Sequence, residues 1–115
     1  MSEDICEIPR WQQVKSQLNN LELEDFIAHA RDHGGVILDV RTAAEFEQYH
    51  LDDAVNLDYL SQTLADELET LDTEQCYYVY CRTGRRALRV CLLLQNLGIT
   101  RVYNLANGLL HYELA

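Results

Sequence analysis

Cys81 closes a short run of strand-type residues, Tyr77 to Tyr80, and opens a six-residue turn of Cys81, Arg82, Thr83, Gly84, Arg85 and Arg86, after which a helical pattern begins. A loop that curls into a helix start aims unpaired backbone N–H groups at one spot, and the helix dipole adds partial positive charge there. Arg82, Arg85, Arg86 and Arg89 add full charges. The thiolate is the nucleophilic form of cysteine, and this is a place suited to hold one. Gly84 gives the backbone the freedom to curl tightly. A small buried residue at a strand end is the commoner fate of a lone free cysteine. The loop and the arginines, taken with the cysteine, favour the reactive role.

The elements that must position this cysteine are legible around it. Leu23, Phe26, Ile27 and Ala30 fall on one helix face, and Gly34-Gly35 ends that helix. Val36-Ile37-Leu38 is a continuous apolar run, as in a strand buried on both faces, with Asp39 at its C-terminal end. Thr42 to Glu45 has the form of a capping box and predicts a helix from about Ala43 to Tyr49. Ala54 to Leu57 reads as a short strand, and Leu60, Leu64, Leu68 and Leu71 recur near helical spacing after it. Beyond the loop, the helix around Val90 to Leu94 is apolar nearly all round and stops at Leu97-Gly98. A strand at Arg101 to Tyr103 and a helix from Gly108 to Glu113 follow. Alternating strands and helices predict an α/β fold with a parallel sheet covered on both faces. Sites in such sheets lie beyond the carboxyl ends of the strands, where Cys81 stands.

These residues resemble the rhodanese family, in which a catalytic cysteine opens a six-residue loop between a parallel strand and a helix. Asp39-Val40-Arg41 with Glu45-Phe46 resembles the family's D-V-R...E-F segment. Tyr49-His50-Leu51, Ala54 and Asn56-Leu57 resemble G-H-I...G-A...N-I/L, and Leu105-Ala106-Asn107-Gly108 resembles L-x-G-G. The likeness runs from about Leu18 to the C-terminus. It implies a three-layer domain over residues 18–115, with a central parallel sheet of about five strands and helices on both faces. Residues 1–17 read as an N-terminal extension, in which Trp11, Val14 and Leu18 recur at helical spacing and Pro9 suits a first turn.

What the resemblance implies in function is sulfur transfer. Cys81 would carry a sulfane sulfur as a persulfide, taken from a small anionic donor such as thiosulfate or from a protein persulfide, and pass it to a thiol or to cyanide. Arg82, Thr83, Gly84, Arg85 and Arg86 would bind the substrate, with no cofactor and no metal. By similarity, Asp39, Arg41 and Glu45 form a polar brace beneath the site, and His50 is structural. Arg86 stands where many active members have serine or threonine, and this would alter the choice of donor.

Other classes are weighed on the same residues. Cysteine phosphatases place five residues between cysteine and arginine, whereas Arg86 follows Cys81 with four between and the next residue is Ala87. The smaller loop suits one sulfur better than a phosphoryl group. Arsenate reduction would need a second, resolving cysteine, and none is visibly placed for it. A non-catalytic rhodanese-like module that docks a partner on its acidic half is the third alternative.

Composition narrows the field. The 115 residues are 48% apolar and carry a net charge of −10, which argues against nucleic-acid binding. Up to Glu74 there are 18 acidic and 4 basic residues, a balance of −14; from Gln75 onward there are 1 and 5, a balance of +4. A cationic mouth on an acidic body suits a small anion. The N-terminus, MSEDICEIPR, lacks the apolar stretch of a signal peptide, and no apolar run is long enough to cross a bilayer. The expected setting is cytoplasmic, with Cys6, Cys76, Cys81 and Cys91 as free thiols and no membrane contact.

Overall fold

In the computed structural model, residues 10–113 are described. In chain order they form α1 (Arg10–Ser16), β1 (Asn19–Leu21), α2 (Leu23–Asp32), β2 (Val36–Asp39), α3 (Ala43–Gln48) and β3 (Val55–Asn56). There follow α4 (Leu64–Glu69), β4 (Tyr77–Tyr80), α5 (Arg85–Asn96), β5 (Val102–Leu105) and α6 (Gly108–Glu113). The five strands pair in the order β1-β5-β4-β2-β3, and every pairing is parallel. Parallel neighbours need crossover connections, so each strand is followed by a helix that returns the chain. The predicted three-layer α/β architecture is the one observed.

Period-two alternation along β4 shows how the layers are filled. Tyr77 and Val79 point to one face, where they pack with Leu68, Leu88, Val90, Cys91 and Leu94 of α4 and α5. Tyr78 and Tyr80 point to the other and meet Phe26 and Ala30 of α2 and Leu109 of α6. Phe26 stands edge-on to both tyrosine rings, with centroids 5.7 and 6.3 Å away. Gly35 lies against the ring of Tyr78, so a methyl group there would overlap it. Val14 of α1 packs on the α5 side of the sheet and Leu18 is buried there. Pro9 and Cys6 lie outside the described residues.

Several boundaries differ from the sequence reading. The helix after the loop begins at Arg85 rather than beyond Arg86, so the last two arginines of the six-residue turn already belong to the first turn of α5. The leucine spacing from Leu60 to Leu71 yields a helix only over Leu64–Glu69, and Leu60 is exposed outside it. Strand β1 was not predicted; its Asn-Asn-Leu sequence has low strand propensity and is held extended by pairing with β5. Among the described residues no helix is long and apolar enough to cross a membrane.

Beneath the carboxyl ends of β2 and β4 lies a buried ionic cluster. Asp39 is fully buried and Arg41 is 2% exposed. The Arg41 guanidinium donates to Asp39 through Nε at 3.1 Å and Nη2 at 2.8 Å, and Nη2 also donates to the carbonyl of Tyr49 at 2.6 Å. The Tyr80 hydroxyl donates to Asp39 Oδ2 at 2.6 Å and accepts the Leu51 amide at 3.1 Å. Burial works against the Arg41 charge, but the hydrogen bonds and attraction of Asp39 outweigh it and raise the pKa. Burial likewise pushes the Tyr80 phenol up, and its bond to Asp39 adds to this, so Tyr80 remains a donor. Glu45, expected in this brace, makes its hydrogen bonds elsewhere; Tyr80 takes its place.

Tyr80→Phe should therefore leave Asp39 and the Leu51 amide each one partner short. The expected loss is about 1–3 kcal/mol of unfolding free energy, read from urea denaturation. An unchanged midpoint and slope would show that the hydroxyl contributes nothing to the brace.

Candidate active site

β4 delivers Cys81 to the carboxyl edge of the sheet, next to the start of α5. Gly84 is the N-cap of α5 with φ +97°, in the left-handed region that favours glycine, and it has no side chain with which to cap the helix. The sulfur of Cys81 takes that role. Its Sγ accepts the Gly84 N–H at 3.0 Å and the Ala87 N–H at 3.3 Å. Ala87 is the third residue of α5, so one of the amides left unpaired at the helix start terminates on sulfur. Backbone donors and the helix dipole both favour negative charge at this atom. Cys81 is 1% exposed and so forms the floor of the loop.

A second helix start holds the loop from the other side. The amides of Leu109 and Leu110, in the first turn of α6, donate to the carbonyls of Cys81 at 2.9 Å and Arg82 at 2.8 Å. Gly108 sits directly against the loop: a Cβ there would lie 2.5 Å from the Arg82 carbonyl oxygen and 2.7 Å from the Gly84 nitrogen. Asn107 before it has φ +65°, a left-handed conformation that asparagine tolerates better than most residues, which explains how it can stand where the L-x-G-G pattern has glycine. Its Oδ1 accepts from Lys15 Nζ at 3.0 Å, which ties α1 to the back of the loop.

The loop arginines diverge. Arg82 and Thr83 are exposed at the rim. Arg85 and Arg89 line a groove of about 390 Å³ with Arg10, Val14, Leu88 and Leu92. Arg86 turns toward α3, where its Nη1 is 3.6 Å from Glu45 Oε1 and its guanidinium lies 5.8 Å from the centre of the Tyr59 ring. Arg89 Nη1 donates to the Tyr59 hydroxyl at 3.3 Å. Sequence reasoning placed Arg82, Thr83, Gly84, Arg85 and Arg86 together on the loop; the structure leaves them contiguous, with Arg82 and Thr83 exposed, Arg85 on the groove and Arg86 beside Glu45. Ala87, Gly108, Lys15 and Tyr59 were missed. Only Gly108 left a local signal, as the second glycine position of Leu105 to Gly108.

The remaining candidates have structural partners. His50 donates from Nδ1 to the Phe46 carbonyl at 2.8 Å and stacks on that ring with centroids 3.7 Å apart. Cys91 is buried in α5, and burial pushes its thiol pKa up, so it stays protonated. Cys76, Cys81 and Cys91 are free. Among the described residues no cluster of His, Cys, Asp or Glu is placed to hold a metal ion.

Residues 22–115 match the family described as the rhodanese-like domain. The chain belongs to that family. Among curated relatives of this rhodanese-like chain, thiosulfate sulfurtransferase GlpE of Pseudomonas savastanoi pv. phaseolicola is 31% identical over 68% of this chain and 72% of its own length. A tRNA sulfurtransferase of Thermoplasma acidophilum is 33% identical over 60% of this chain; the match spans 13% of that much longer protein. The solved human single-domain sulfurtransferase TSTD1 superposes with a TM-score of 0.69 at 16% identity, covering 83% of this chain and 95% of that one, and shares the fold.

Gly108→Ala should push the loop backbone away from α6. Gly34 also has a positive φ, +62°, but an added Cβ there meets no atom within 4 Å, so Gly34→Ala isolates the backbone cost. The expected result is that Gly108→Ala lowers stability by about 1–3 kcal/mol more than Gly34→Ala in urea unfolding. Equal losses would show that α6 does not press on the loop.

Proposed function

We propose that this rhodanese-like chain is a sulfurtransferase that moves a sulfane sulfur through a persulfide on Cys81. The observation that carries the reading is the pair of N–H donors, from Gly84 and Ala87, on the Cys81 sulfur. In the first half-reaction the Cys81 thiolate attacks the outer sulfur of thiosulfate, the donor S–S bond breaks and sulfite leaves with the bonding pair. Cys81 then bears a persulfide anion, and the three negative charges of the reactants are all retained in the products. In the second half-reaction an acceptor thiolate or cyanide attacks that outer sulfur and Cys81 leaves as thiolate. Neither step needs an oxidant, a metal or a general base.

Because Cys81 is the buried floor of its loop, a donor must present its sulfur end-on, which fits a terminal sulfane sulfur. Arg82 at the rim and the nearby cations of α5 attract the anionic donor, and Thr83 stands beside them as a hydroxyl donor. The relatives named as sulfurtransferases support the same chemistry. A protein persulfide donor and a thiol acceptor also present a terminal sulfur to this opening. A reducing, cytoplasmic setting fits the free thiols Cys76, Cys81 and Cys91.

Intact mass after thiosulfate treatment tests the proposal, with Cys81→Ser alongside and a cyanide chase. The wild type should gain one sulfur atom that cyanide removes as thiocyanate, and the variant should gain none. Transfer of sulfur by Cys81→Ser at the wild-type level would overturn the mechanism.

A further inference from the structure

We propose that Glu45 is a specificity-determining residue that restrains Arg86 at the rim of the Cys81 loop, so that the site discriminates against dianionic thiosulfate in favour of a monoanionic persulfide donor. This rests on the sulfur-transfer reading above. Arg86 immediately precedes Ala87, whose amide meets the reacting sulfur, so its charge is the nearest in sequence to that donor. Yet its guanidinium is turned to Glu45 Oε1, 3.6 Å away, and over the Tyr59 ring. The carboxylate is itself fixed. Glu45 Oε1 accepts the Thr42 amide at 3.1 Å and the Thr42 hydroxyl at 3.0 Å, while Thr42 Oγ1 accepts the Glu45 amide at 3.3 Å. These bonds form the capping box of α3, so the acid is anchored before Arg86 arrives.

Glu45 is charged throughout the working range. Burial opposes its ionisation, but the hydrogen bonds from Thr42, then the charges of Arg86 and Arg41, outweigh it and lower the pKa below the ordinary carboxylate value. A rim cation paired with a fixed carboxylate presents little net charge to an incoming anion. Coulomb energy scales with the product of charges, so neutralising one cation costs a dianion twice the free energy it costs a monoanion. In affinity that is the square of the factor. With a persulfide anion R–S–S⁻ as donor, the Cys81 thiolate attacks the outer sulfur, the S–S bond breaks, RS⁻ leaves with the bonding pair and Cys81 bears the persulfide anion. One negative charge enters and one leaves, and Arg86 need not be released from Glu45.

Glu45→Gln is a clean probe, because glutamine also completes a capping box and α3 keeps its start. Binding is measured calorimetrically in a Cys81→Ser background, where no sulfur moves, with thiosulfate as the dianionic and thiocyanate as the monoanionic probe. Glu45→Gln should tighten thiocyanate about twofold and thiosulfate about fourfold, a size in keeping with a half-exposed ion pair. Both gains should vanish in Glu45→Gln combined with Arg86→Met. No tightening, equal tightening of the two anions, persistence of the gain without Arg86, or no binding by any of the three proteins would each overturn the inference. Persulfide formation by the wild type is read separately by mass. Persulfidation with unaltered thiosulfate affinity in Glu45→Gln defeats this inference alone, whereas absence of a persulfide with every donor defeats the sulfur-transfer reading.

Discussion

At the start of a helix several amides have no carbonyl to reach, and something must accept them. In α5 the N-cap is Gly84, which has no side chain, and the acceptor is the sulfur of Cys81 three residues earlier. Capping and reactivity are thus the same contact. The sulfur stabilises the helix start by accepting its N–H groups, and those groups stabilise negative charge on the sulfur. Gly84 must be left-handed for its own amide to point inward, and Ala87 must be small and buried for the third residue of the helix to close over the site. A side chain that capped α5 from position 84 would compete with the cysteine for those donors.

That contact is rigid only because the loop is clamped on two further sides. From below, Tyr80 precedes Cys81 and is fixed by its hydrogen bond to Asp39, whose charge Arg41 compensates. A buried ion pair is a weak source of stability, since desolvation offsets most of the attraction, but breaking one partner is costly. Its role here is to hold the ends of β2 and β4 in one register. From the side, α6 spends its first amides on the Cys81 and Arg82 carbonyls, with Gly108 permitting the close approach. Two helix starts therefore meet one loop, α5 on its sulfur and α6 on its carbonyl oxygens.

Much of this was legible in the sequence because it depends on local pattern. Tyr77 to Tyr80 and Val36 to Leu38 are short apolar runs between turn signals, Thr42 and Glu45 are spaced as a capping box, and Cys81 with Gly84 marks the strand-to-helix turn. What was not legible depends on partners far away in the chain. Asn19 to Leu21 is a strand only because β5 lies beside it. The Ala87 donor is a backbone group, which side-chain identity cannot advertise. Arg86 looked like an anion-binding charge when read on its own loop; Glu45 and Tyr59, brought in by α3 and the segment after β3, redirect it. Glu45 was assigned to the buried brace by similarity, and the phenol of Tyr80 fills that place instead.

The most direct measurement is the amide proton and nitrogen shifts of Gly84 and Ala87 by NMR in the wild type and in Cys81→Ala. If the Cys81 sulfur is the acceptor for both, its removal should move the two amides together while leaving the amides of α2 unchanged. Amides of Gly84 and Ala87 that keep their wild-type shifts in Cys81→Ala would contradict the sulfur cradle on which the proposed chemistry depends.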